Sequence, residues 1–60
     1  MINCIEAEAA RWAEKRRALT AEGMEEATLD RNMLRCLLWD NWTKEQAQQI
    51  IQKSKEDAKC

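Results

Sequence analysis

The chain has 60 residues, 27 of them apolar, and its ten basic and eleven acidic side chains leave a net charge of −1. Nine of the 27 are alanine and three are cysteine; with only 15 large apolar residues left, a lone monomer of this length is expected to be marginally stable. Near-neutral charge argues against a general nucleic-acid or membrane coat and against an acidic DNA mimic, and the longest apolar run, Cys36-Leu37-Leu38-Trp39, falls far short of the roughly 20 residues of a membrane span.

The opening Met-Ile-Asn-Cys-Ile-Glu lacks a basic region followed by an apolar one, so no signal peptide is expected. Phe, Tyr, Val and Pro are absent and Gly occurs once, which argues against a β-sheet. The expected fold is all-α: a helical hairpin plus a shorter third helix, a small three-helix bundle completed by dimerisation.

The first helix is predicted over about 4–22. Asn3 and Glu6 fit a capping box, and Ile2, Ile5, Ala9, Trp12, Arg16 and Leu19 recur every three or four residues along one stripe. Gly23 supplies the left-handed residue that ends a helix, with Leu19 and Met24 placed to touch across the stop.

The second helix is predicted over about 25–40, with Glu25 and Glu26 where negative charge meets the positive end of the helix dipole. Leu29, Met33, Cys36 and Leu37 cover one side, and Leu34 and Leu38 carry the apolar surface around to another. At 100° per residue that arc approaches 200°, too wide for one neighbour, so helix two is expected to be central.

Asp40-Asn41-Trp42-Thr43 reads as a break. Asn41 tolerates a left-handed conformation, and Thr43 with Gln46 forms a second capping box. The third helix then runs over about 44–58 with a thin face of Ala47, Ile50, Ile51, Ser54 and Ala58, and with Lys53, Lys55 and Lys59 near its negative end. A continuous helix from Glu25 to Ala58 is the competing reading. No linker or repeat divides the chain, so residues 1–60 form a single domain.

Three scattered cysteines, Cys4, Cys36 and Cys60, do not make a disulfide scaffold, and without His or a Cys-x-x-Cys a zinc site is not expected. A reduced, cytoplasmic protein follows, with Cys36 a small core residue. Without His, Tyr, a phosphate loop or a Ser beside a base, neither catalysis nor a cofactor is expected, and the chain has little volume for a concave site of ~300 Å³.

Four features remain as candidates. Arg11 and Lys15 share a helix face and could hold phosphates or an acidic partner surface, or could simply be solvated beside Glu8. Arg16 interrupts the apolar stripe, where a charge either finds a carboxylate or fixes the register of a helix pair. Leu34 and Leu38, on the second side of helix two, would join Arg16 in a dimer interface. Trp39 and Trp42 could plug a small core or carry binding energy at an interface.

Leu37-Leu38-Trp39-Asp40-Asn41-Trp42-Thr43-Lys44-Glu45-Gln46-Ala47 resembles the first half of bacterial helix-turn-helix regulators, and Ser54 lies where that family caps its recognition helix. The likeness covers residues 37–54. Gln52 stands in place of the usual turn glycine, and only Lys55 to Cys60 remain for a recognition helix. In size and style the chain is also similar to small helical accessory proteins of enterobacterial phages and prophages, a likeness carried by no motif. It implies a module that binds and modulates a host protein in the host cytoplasm; the missing catalytic residues make it non-enzymatic, and the two apolar sides of helix two with a scarce monomer core predict a homo-oligomer. The alternative is a small DNA-binding regulator.

Overall fold

A computed structural model describes residues 4–59 and holds three helices: α1 Cys4–Ala21, α2 Glu26–Trp39 and α3 Lys44–Lys59. No strand occurs among the described residues. The predicted cap at Asn3, the stripe position Ile2 and Cys60 lie outside the described residues, as does the side chain of Cys4.

Both turns close in the same way. At the end of α1, the amide of Met24 donates to Leu19 O at 3.1 Å and that of Gly23 to Thr20 O at 2.9 Å, with Gly23 at φ +100°. At the end of α2, Trp42 donates to Leu37 O and Asn41 to Leu38 O, each at 3.1 Å, with Asn41 at φ 73°. These are two Schellman stops, each needing one left-handed residue. The helix from 25 to 58 is therefore broken, and the Thr43–Gln46 box restarts it. The amide of Thr43 donates to Gln46 Oε1 and that of Gln46 to Thr43 Oγ1, both at 3.1 Å. Glu25 precedes α2 in an extended conformation and makes no side-chain cap.

The two left-handed positions should respond oppositely to mutation. A Cβ at residue 23 meets nothing within 4 Å, so Gly23→Ala carries only the backbone penalty of about 1–2 kcal/mol. Asn41→Gly removes a smaller penalty and should stabilise by about 0.5 kcal/mol. Thermal melts of the two variants, displaced in opposite directions from the parent, check this.

The path is up-down-up. Ile5 lies beside Gln48 and Gln52 at one end of the molecule, and Arg17 Nη1 donates to Asp57 O at 3.3 Å at the other, so α1 and α3 are parallel. Here the structure corrects the sequence reading. The closest backbone packing is between α1 and α3, α2 approaches α3 less closely, and α1 and α2 come together least. The thin face of α3 is the reason. Ala9 on α1 joins Ala47 of α3 in the core, Ala13 and Ser54 are buried as well, and residues this small let two backbones approach, whereas Leu29, Met33 and Leu37 hold α2 farther off. Ala47 is wholly buried, so Ala47→Leu should force the seam apart and lose about 2 kcal/mol, read as a lower urea midpoint.

The core joins Ala9, Leu37, Ala47 and Ile50, with Ile5, Trp12, Leu34, Trp42 and Ile51 half-buried around it. Ala13, off the predicted stripe, is buried as well. Cys36 is not a core residue. It is exposed because the buried face of α2 is the i, i+4, i+8 line of Leu29, Met33 and Leu37, and Cys36 stands 100° off Leu37.

Candidate functional site: an aromatic and cationic groove between α1 and α2

Because α1 and α2 approach each other least, an open groove of about 560 Å³ runs between them. Glu8, Arg11, Trp12 and Lys15 line it from α1, and Asn32, Arg35, Cys36, Trp39 and Asp40 from the other side. A concave surface larger than the sequence led one to expect is thus present.

The α1 wall is organised around one ring. Trp12 Nε1–H donates to Glu8 Oε2 at 3.3 Å, and Lys15 Nζ sits 4.9 Å from the ring centroid, a cation–π contact. Glu8 also faces Arg11 at 3.6 Å, the expected i,i+3 pair. With Arg11 77% exposed, that pair is worth little and leaves the guanidinium free to exchange partners. Trp39, in the last turn of α2, completes the opposite wall and is 87% exposed.

Of the residues singled out from sequence, Arg11, Lys15 and Trp39 come together in this groove. Trp42 is elsewhere: it is half-buried and packs on the core. Three residues apart in sequence, the two tryptophans are separated because the left-handed Asn41 reverses the chain between them. Leu34 is half-buried against the core, and Leu38, one turn on, is 43% exposed. Trp12 and Arg35 are groove residues that sequence reasoning did not single out. Trp12 falls on the apolar stripe of α1, and nothing in the spacing of α2 marks Arg35.

Arg16 is placed inside the fold, on the opposite side of α1 from Arg11. It is 5% exposed and donates through Nη2 to Asp30 Oδ1 at 2.6 Å and to Met33 Sδ at 3.3 Å. Lys55 Nζ reaches the same carboxylate at 2.9 Å, and Glu26 lies 3.9 Å from Arg16 and 3.8 Å from Lys55. One ion-pair network therefore ties all three helices. Partial burial raises the Asp30 pKa, but hydrogen bonds from Arg16 and Lys55 and the charges of both outweigh it, so the carboxyl titrates below the ordinary 3.8. The charge that sequence analysis offered for register between subunits is answered within one chain. Buried Nε of Arg16 has no partner.

Ser54, where a recognition helix would begin in a helix-turn-helix protein, is in the body of α3. It is fully buried, donating to Ile51 O at 2.7 Å with its oxygen 3.9 Å from Met33 Sδ. α3 continues unbroken through Gln52 to Lys59. No group of three or more His, Cys, Asp or Glu side chains is placed to hold a metal among the described residues, and none of the described helices is long and apolar enough to cross a membrane. Comparisons with protein-family models, with curated proteins and with solved structures returned no match.

Proposed function

We propose that the chain is a small non-enzymatic interaction module that acts by binding another protein through the α1–α2 groove. The observation that carries this reading is Trp39, an 87% exposed indole standing in the same groove as the cations Arg11 and Lys15. A large ring left in water beside guanidinium and ammonium groups is the composition of a binding hot spot, where Trp and Arg are enriched. Trp42 serves the fold instead. A phage-type accessory protein modulating a host protein would act through such a surface.

A photo-crosslinking residue placed at position 39, compared with the same residue at exposed Gln49 on α3, tests this in a bacterial lysate. The reading predicts one discrete heterologous adduct from position 39, lost when Arg11→Glu and Lys15→Glu are added, and none from position 49. Equal adducts from both positions, or none from position 39, would contradict it.

Self-association is a second reading, favoured by Leu38 at 43% exposure with half-buried Leu34 one turn before it. Sedimentation over micromolar concentrations decides it: a dimer broken by Leu38→Glu supports it, and a monomer at every concentration removes it.

A further inference from the structure

The groove also carries information about the chemistry of what it binds. We infer that its occupant is an acidic helix of a partner protein, presenting two carboxylates four residues apart beside an apolar side chain. This inference rests on the interaction reading given above.

The dimensions come from the two walls. Glu8 to Lys15 on α1 and Asn32 to Trp39 on α2 each run about 11 Å at 1.5 Å per residue, which is two turns of a helix laid alongside. Arg11 and Lys15 are one turn apart, about 6 Å along the axis, so carboxylates at i and i+4 of a docked helix match their spacing. Arg35 adds a third cation from the opposite wall. Arg11 offers a planar fork for a bidentate carboxylate. Its present partner Glu8 is also held by Trp12 Nε1, so Arg11 can leave without stranding that carboxylate. The exposed ring of Trp39 supplies apolar surface beside the charges, where a leucine-sized side chain of the occupant would rest.

Charge distribution distinguishes this occupant from two others. A second copy of the chain does not fit. Within its helices the only carboxylates four apart are Glu26 and Asp30, and both face Arg16 and Lys55. A nucleic acid fits less well, because three cations give few phosphate contacts.

Fluorescence anisotropy with defined probes tests the inference on the full chain. The probes are a labelled 16-residue helix-forming peptide with Glu at successive i,i+4 positions flanked by Leu, the same peptide with Gln for Glu, and a 15-nucleotide thymidine strand. The Glu peptide should bind at least tenfold more tightly than the Gln peptide. Its affinity should fall at least tenfold in Arg11→Glu/Lys15→Glu and in Trp39→Ala, and fall again as salt rises from 50 to 500 mM. Helical circular dichroism equal to the parent's keeps the variants comparable.

Equal binding of the Glu and Gln peptides, no binding of either, or tighter binding of the oligonucleotide would each overturn the inference. If the position-39 adduct forms while the Glu peptide fails, the groove remains a docking surface and only its acidic occupant is lost. If neither occurs, both readings fall together.

Discussion

Asp30→Ala is expected to cost about 2–3 kcal/mol, enough to leave a chain of this size largely unfolded near its parent's melting temperature. The substitution removes the one carboxylate that faces both Arg16 and Lys55 at short range, 2.6 and 2.9 Å. What remains is a guanidinium 5% exposed, with its Nε already lacking a partner, the weak acceptor Met33 Sδ at 3.3 Å and Glu26 at 3.9 Å. Breaking a fully buried pair costs about 3–5 kcal/mol, and the lower figure here reflects the 28% exposure of the Asp30 side chain. The comparison variant is Arg16→Met with Asp30→Leu, which removes both charges and should recover most of the loss, because apolar residues of similar volume often replace a buried pair without penalty. Urea unfolding of the single and double variants reads the difference as a shift in midpoint.

The same network gives a pH dependence with a defined sign. Asp30 titrates lower in the folded chain than the ordinary 3.8, so its contribution is present above about pH 4. It is lost as pH falls through the lower folded value, when the carboxyl takes up a proton that Arg16 and Lys55 oppose. Stability should therefore drop on acidification below pH 4, and the part of that drop due to Asp30 should be missing in Arg16→Met/Asp30→Leu.

Leu37→Ala should be at least as damaging, at about 3 kcal/mol. Leu37 is fully buried at the centre of the core with Ala9, Ala47 and Ile50, and it is also the residue whose carbonyl receives the Trp42 amide at 3.1 Å. Ala9 and Ala47 on the flanking helices are too small to collapse into the space, so much of the cavity term remains. Leu38→Ala, one residue on and 43% exposed, should cost under 1 kcal/mol. Thermal melts of the pair would show whether the core lies on the Leu37 side of α2.

The turns were legible in the sequence because each depends on one residue's conformational freedom and one local hydrogen-bonding pattern. Gly23, Asn41 and the Thr43–Gln46 box all occupy the roles their types imply. The packing order was not. A face of Ala47, Ser54 and two isoleucines reads as too poor to hold a helix, yet poverty of bulk brings α1 and α3 together and pushes α2 outward.

That inversion also explains the site. The groove exists because α1 and α2 stand apart, which no periodicity in either helix encodes. Arg11, Lys15 and Trp39 could be named from their chemistry, but Trp39 and Trp42 looked equivalent until the Asn41 turn sent them to different places. Arg16 was visible as an anomaly in an apolar stripe. Its partner Asp30 is 14 residues away and becomes a neighbour only after the chain has reversed.

The proposed division, Trp39 for binding and Trp42 for the fold, can be separated by mutation. Recovery of the position-39 partner by an affinity-tagged Trp39→Ala variant, at a temperature where thermal melts show it folded, tests this most directly. Trp39→Ala should melt within a degree or two of the parent and recover less than a tenth of the partner, whereas Trp42→Ala should lose about 2 kcal/mol of stability. Full recovery of the partner by a folded Trp39→Ala would contradict it.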